Sequence, residues 1–259
     1  MASVLKSFKE FISRNLSGTR AYLPVREIYQ TVFSRSWARN RTARRNFYRQ
    51  FVRPGSLVFD VGANVGEYSY TFLRLGARVV ALEPNPECCA TLRTLGHKNR
   101  LTIRCEAVGE RQGEASLFLG EQSGHSTVSE EWMERASKND PGYHWSSAIK
   151  ARMNTLGGIQ EEYGTPDFVK IDVEGYESSV LRGMSFRPSA LGFEFHAYAP
   201  EQVRDCLRLP VFDSGCCFNI VLGDSWEFVW PDWRDKNAIF DYTSRLTGTV
   251  FGDIYARFA

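Results

Sequence analysis

The stretch Val58-Phe59-Asp60-Val61-Gly62-Ala63-Asn64-Val65-Gly66 constrains the fold more than any other: an apolar run stops at a glycine-containing loop and a helix follows. A nearly continuous apolar strand is buried on both faces, which is the condition of strands in parallel sheets covered by helices. The same arrangement repeats at once. A strand is predicted over Leu57 to Val61, a helix through Leu75, a strand over Arg78 to Leu82 and a helix over Pro86 to Leu95. Asn85 is placed to cap that second helix, Pro86 suits its first turn, and Gly96 can end it in the left-handed conformation. Strand and helix alternating in this way give an α/β domain with a parallel sheet. With 259 residues, 43% of them hydrophobic, the chain can bury one large core, so one catalytic domain is expected over residues 53–259.

Further along, Leu101 to Val108 reads as a third strand and Ala115 to Leu119 as a short fourth. Residues 120 to 150 are polar and rich in Ser, and are expected to be an irregular lid or binding loop. A helix is predicted over Asn154 to Tyr163, closed by Gly164, then a strand over Phe168 to Val173, a helix over Tyr176 to Met184 and a strand over Ala190 to Phe195. Phe218 to Leu222, Glu227 to Trp230 and Asp253 to Phe258 are candidate strands for an antiparallel C-terminal edge.

Before residue 53 the composition differs. Residues 1 to 53 hold twelve Lys or Arg against two acids, whereas the whole chain has a net charge of only +2. Arg35, Arg39, Arg41, Arg44, Arg45, Arg49 and Arg53 are interleaved with Trp37, Phe47, Tyr48 and Phe51. This basic helical N-terminal extension, residues 1–52, either contacts an anionic membrane surface through residues 35–53 or packs on the domain by its aromatics, leaving a solvated charged face. The acidic main body and the lack of a recognised binding motif argue against nucleic acid. No apolar run reaches 18 residues and no secretory leader is apparent, so the expectation is a cytoplasmic protein, peripheral to the inner face of a membrane if the arginines bind lipid. Cys88, Cys89, Cys105, Cys206, Cys216 and Cys217 show no C-x-x-C spacing and are expected to be reduced thiols.

Chemistry is concentrated at the predicted strand ends. Gly62 permits a tight turn, and amides at a helix start suit an anion. A dinucleotide fold would need G-x-G-x-x-G, but Asn64 and Glu67 occupy the third and sixth positions. Asp60, two places before Gly62, can instead face the ammonium of S-adenosylmethionine while the amides face its carboxylate. Some twenty residues on, Glu83 can accept both ribose hydroxyls, the place such an acid takes beside a nucleoside. Glu106 offers an acceptor for an adenine amino group, and Ala107 and Val108 small apolar contacts to the ring.

Asp60-Val61-Gly62-Ala63-Asn64-Val65-Gly66-Glu67-Tyr68-Ser69, Ala81-Leu82-Glu83-Pro84-Asn85-Pro86, Glu106-Ala107-Val108-Gly109 and Lys170-Ile171-Asp172-Val173-Glu174-Gly175-Tyr176-Glu177, in that order, resemble the FkbM family of S-adenosylmethionine-dependent methyltransferases over about residues 53 to 200. The resemblance implies a class I methyltransferase-like (Rossmann-like) sheet and O-methylation of sugars, glycolipids or natural-product hydroxyls, with S-adenosylhomocysteine as product. It also implies methionine-end contacts from Asp60, Gly62, Ala63, Asn64, Gly66 and Tyr68, and ribose contacts from Glu83 with Pro84 and Asn85. Adenine would meet Glu106, Ala107 and Val108, and Asp172 would lie at the reaction centre.

An alcohol is a poor nucleophile at neutral pH, so a base should take its proton. His196 has the more suitable ordinary pKa and is the expected catalytic base, with Asp172 as orienter or cofactor contact. Substrate contacts are expected from His125, Ser126, Trp145, Glu174 and Glu194. Asp172, Glu174, Glu194 and His196 could also hold Mg²⁺, although ion pairs with Lys170 or Arg182 would explain the same residues and no metal is expected. Trp226, Trp230 and Trp233 are either a sugar-stacking surface or core. The competing functions are an NAD-dependent nucleotide-sugar oxidoreductase and a non-catalytic membrane-surface protein.

Overall fold

The computed structural model describes residues 35–120, 126–140 and 143–258. A helix, α1 (Arg35–Tyr48), leads into β1 (Leu57–Val61), α2 (Glu67–Arg74), β2 (Arg78–Leu82), α3 (Pro86–Arg93) and β3 (Leu101–Arg104). Then come β4 (Ala107–Val108), β5 (Gly113–Gly120), α4 (Glu130–Asn139), β6 (Trp145–Asn154) and α5 (Leu156–Tyr163). The chain continues with β7 (Phe168–Ile171), α6 (Glu177–Arg182), β8 (Ala190–His196), α7 (Pro200–Leu207), β9 (Cys216–Leu222), α8 (Lys236–Thr243) and β10 (Phe251–Phe258). Seven strands form one sheet in the order β3-β2-β1-β7-β8-β10-β9, and β4-β6-β5 form a second.

In the large sheet β3, β2, β1, β7 and β8 run parallel, while β10 lies antiparallel between β8 and β9. Alternation along the strands separates two cores. Leu57, Phe59 and Val61 of β1 join Val169 and Ile171 of β7 on one face, under α5, α6, α7 and α8. Val58 and Phe168 face the other way, into a core closed by Phe72 and Leu73 of α2, Leu92 of α3 and the aromatics of α1. Phe47, Tyr48 and Val52 are buried there. Arg44 is itself buried, ion-paired with Glu67 and lying over the Tyr68 and Trp226 rings, and Arg41 lies over Tyr70. The described part of the basic segment therefore packs on the domain through its aromatics and spends two of its arginines on the domain. The predicted helices before residue 35 lie outside the described residues. No described helix is long and apolar enough to cross a membrane.

The local signals around α3 are realised: Asn85 Oδ1 accepts the Glu87 amide, Pro86 opens the helix, and Gly96 follows at φ +84°. Several expectations need correction. The third strand is not continuous from Leu101 to Val108. It stops at Arg104, and Ala107-Val108 turns away to pair with Met153-Asn154 in the small sheet. At the break Cys105 forms a disulfide with Cys89 of α3, so these two cysteines are not the reduced thiols expected; the other four are free.

The supposedly irregular region 120–150 holds α4 and the start of β6. Ser129 caps α4 by accepting the Trp132 amide, and only Trp132 and Ala136 of this helix are buried. So narrow an apolar stripe leaves little periodicity to read. Glu227 to Trp230 is no strand: Phe228 makes a single bridge to Val221. The turn at Trp226, with φ +54°, sends Trp226 and Phe228 into one core and Trp230 toward the other.

Candidate active site

The parallel register sets the site. Val61, Leu82 and Arg104 lie side by side at the carboxyl ends of β1, β2 and β3, so Asp60, Glu83 and Glu106 come to one edge of the sheet. All three are buried. Asp60 accepts a hydrogen bond from the Ser69 hydroxyl at 2.6 Å, which ties the strand end to α2. Burial pushes its pKa up to about 6, against the stabilising pull of Ser69 and Lys170. Burial likewise pushes Glu83 up to about 7, although its two oxygens accept the Asn64 and Asn85 amides at 2.7 and 2.8 Å. Each carboxylate oxygen has two lone pairs, so Glu83 retains acceptor capacity for two more donors.

The glycine loop is pressed against β7. A Cβ on Gly62, whose φ is +79°, would lie 1.7 Å from the Asp172 carbonyl oxygen, so no side chain fits. The Gly62 and Ala63 amides both donate to Leu82 O, and that of Asn64 to Glu83. These three amides therefore have partners within the protein. The start of α2 remains: Gly66 stands at its N-cap with no capping side chain, and although the Ser69 amide of that turn goes to Asp60, the helix start still favours an anion. Glu106 Oε1 lies 2.9 Å from an Arg104 guanidinium nitrogen, so an adenine amino group would share that carboxylate with Arg104. The donor set suits an adenosyl group bearing an amino-acid tail: buried carboxylates for ammonium, ribose and adenine, and a helix start for the carboxylate.

Next along the edge is a network of which sequence reasoning foresaw the Lys170–Asp172 pair and missed the rest. Lys170, fully buried in β7, donates to Asp172 at 3.2 Å and to Asp253 of β10 at 2.8 Å, and its ammonium sits over the Tyr68 ring. Asp253 also accepts from Tyr255, whose hydroxyl bonds that of Tyr48 in α1. Burial alone would lower the Lys170 pKa, but Asp172 and Asp253 hold it well above the usual lysine range. The signal was a lysine between Val169 and Ile171 in an otherwise apolar strand. Asp172 is thereby pinned midway along the edge. Burial is the larger cause of the raised pKa at Asp60 and Glu83 and also at Glu174 and Glu194, and the charge of Asp172 adds to it at all four.

Beyond Asp172 the ends of β7 and β8 make a corner. Glu174, Glu194 and His196 bring ligand-type atoms within 4.8 Å of one another. His196 Nε2 is 3.3 Å from Glu194 Oε2, and its ring is walled by Trp132, Tyr198 and Phe251. Tyr143 donates to Glu174 Oε2 at 3.0 Å and Thr127 to Glu174 O at 2.7 Å, so the segment around α4 grips this loop. Glu174 sits at φ +53°, a costly conformation for a residue with a side chain, and Gly175 follows at φ +86° with its Cα against the Trp132 indole. Burial, reinforced by their neighbours' negative charge, raises Glu174 and Glu194 well above the usual carboxylate range. Of the ion pairs expected from Lys170 or Arg182 within the set Asp172, Glu174 and Glu194, the one between Lys170 and Asp172 forms; Glu174 and Glu194 receive neither cation, because Lys170 turns also to Asp253 and Arg182 to Glu110.

Of the other predicted contacts, Trp145 packs on Tyr143 at the corner's outer side, and Ser126 bonds the Gly120 amide beside β5. His125 lies outside the described residues. Trp226 and Trp233 belong to the core under α1, and Trp230 packs on Tyr242 over the opposite face, so the three form no stacking platform.

A seven-stranded sheet of this order, with one reversed strand and acids on its first three strand ends, defines a class I methyltransferase fold. A family model for the methyltransferase FkbM domain matches residues 60–215. The chain belongs to the FkbM methyltransferase family, an S-adenosylmethionine-dependent group, and the oxidoreductase reading falls with that assignment.

Similar solved structures include the O-methyltransferase from Bacillus cereus in complex with SAH, 12% identical, with 100% of both chains covered and a TM-score of 0.44. Another is precorrin-6y C5,15-methyltransferase from Geobacter metallireducens GS-15, 12% identical, covering 84% of this chain and 87% of that one, TM-score 0.42. A third is an rRNA methylase from Streptococcus thermophilus, 9% identical, covering 83% and 94%, TM-score 0.40. Likenesses of this size carry nothing about substrate. No curated protein sequence matches.

Proposed function

We propose that this methyltransferase acts on a hydroxyl group of a sugar, glycolipid or natural product. The observation that carries the reading is the corner of Glu174, Glu194 and His196, one step along the sheet edge from the cofactor-type acids. A sulfonium supplies an electrophilic methyl group. An amine attacks it unaided once neutral, whereas an alcohol needs a partner that takes its proton as the bond forms. Clustered carboxylates and an imidazole at the strand ends suit the alcohol, and the same negative charge opposes a polyphosphate acceptor. Tyr198, half-buried beside the His196 ring, brings an aromatic face of the kind that packs on sugars to the corner.

In this reading Asp60 faces the ammonium of the cofactor, the start of α2 its carboxylate, Glu83 the ribose diol, and Glu106 to Val108 the adenine. Asp172, ion-paired with Lys170, stands beside the reacting centre and keeps the two halves in register. The acceptor oxygen has to be held about 3 Å from the methyl carbon, and positioning supplies most of the help. Glu174, fixed by Tyr143 and Thr127, and Glu194 position the acceptor, and His196 at the same corner is the candidate to take its proton.

Isotope-labelled S-adenosylmethionine incubated with the full chain and a metabolite extract, followed by mass spectrometry, tests this. The expected product carries a labelled methoxy group on a polyhydroxylated molecule. Label found only on nitrogen, on carbon or on nucleic acid overturns it.

A further inference from the structure

We infer that Glu174, Glu194 and His196 form a binding site for a single divalent cation, to which the acceptor's oxygens add as further ligands. Three observations carry it. The ligand atoms of the two carboxylates and the imidazole converge within 4.8 Å, although they come from the ends of two different strands. Glu194 Oε2 and His196 Nε2 are shut off from solvent, and neither has a hydrogen-bond partner. The two atoms face each other 3.3 Å apart without making a hydrogen bond, and buried polar atoms left so call for a further partner. Finally, the cations that ordinarily relieve paired acids are engaged elsewhere: among the described residues no Lys or Arg is ion-paired with Glu174 or Glu194. A cation would satisfy both orphaned atoms and relieve the repulsion between the carboxylates.

The surroundings fit a built site. Trp132, Tyr198 and Phe251 fix the imidazole plane, Tyr143 orients Glu174, and the left-handed Glu174-Gly175 turn is held by Thr127 and Trp132. Metal ligands are commonly oriented by such outer contacts. One nitrogen and two carboxylate ligands suit Mn²⁺ or Zn²⁺ better than Mg²⁺, which prefers all-oxygen surroundings. Three protein ligands leave coordination positions open, and an acceptor with two adjacent oxygens, such as a vicinal diol, would fill them. The catalytic part rests on the hydroxyl-methylation reading; cation binding does not. In this form His196 ligates the cation and does not itself take the proton, which passes to a carboxylate oxygen of Glu174 as the oxygen–methyl bond forms and the carbon–sulfur bond breaks.

The test is titration of the purified full chain with Mn²⁺ alone, followed by loss of the free-ion paramagnetic resonance signal, and with Zn²⁺ alone by calorimetry. One cation per chain is expected, with affinity reduced at least about tenfold in both Glu194→Gln and His196→Ala, each variant first checked for its circular dichroism spectrum and for S-adenosylmethionine binding. Should a variant not fold, the rise in melting temperature of the wild-type chain with Mn²⁺ or Zn²⁺ serves instead. Absence of saturable binding by either ion, or equal affinity in both folded variants, overturns the site and means that protons alone settle the corner. Cation binding with full methyl transfer after chelation overturns only the acceptor role. Failure of hydroxyl methylation with intact cation binding would count against the proposed acceptor class instead.

Discussion

The two halves of the site are built differently. Asp60, Glu83 and Asn85 lie within 26 residues of one another in sequence, on consecutive strand–loop–helix units, and their partners are close by: Ser69 for Asp60, Asn64 and Asn85 for Glu83, Glu87 for Asn85. The acceptor corner draws on residues from Thr127 to Phe251, through the α4 segment, β7, β8 and β10. A site made of local turns keeps its shape through backbone rules. One made of distant pieces depends on the packing that brings them together, and is the part free to differ between acceptors while the cofactor half stays the same.

Trp132→Ala should break the comparison most visibly. The indole is fully buried, against Gly175 and His196. Emptying its place should cost about 3 to 5 kcal/mol of stability by urea unfolding. Methyl transfer should fall while S-adenosylmethionine affinity in calorimetry stays at the wild-type value. If cofactor affinity falls as far as turnover, the halves are not separate.

Glu83→Ala should do the reverse, weakening cofactor binding by about 1 to 3 kcal/mol through an unpaired ribose diol. Its titration sharpens the point because two signs oppose each other. With a pKa raised from 4.5 to about 7, Glu83 in the free protein contributes stability that is fully present below pH 4.5 and is lost as pH rises through about 7. Cofactor hydroxyls need the ionised form, so affinity should weaken as pH falls through about 7. Melting temperatures of the free wild type, corrected by those of Glu83→Gln, and calorimetry from pH 8 to 5.5 measure both; affinity flat over that range would remove Glu83 from the ribose. The smallest effect is expected from Asn85→Ala, which removes the α3 cap at a cost of about 1 kcal/mol in urea. It should leave turnover at saturating cofactor unchanged.

Much of this was legible along the chain because it rests on local rules. Val58 to Val61 are apolar enough to demand cover on both faces, Asn85-Pro86 can only begin a helix well, and Gly62 stands where the backbone turns too tightly for a side chain. From these came the parallel sheet, the order of its strands' acids and the cofactor class. Tertiary structure decided what depends on distance. It turned Ala107-Val108 out of the large sheet, made a capped helix of the polar segment after Ser129, paired Cys89 with Cys105, and buried Lys170 against Asp172 and against Asp253, the latter 83 residues from the lysine on the chain. It also removed the expected ion pairs from Glu174 and Glu194. Strand and turn preferences are set within a few residues, whereas the partner of a buried charge is chosen by which strands become neighbours, and no local pattern records that choice.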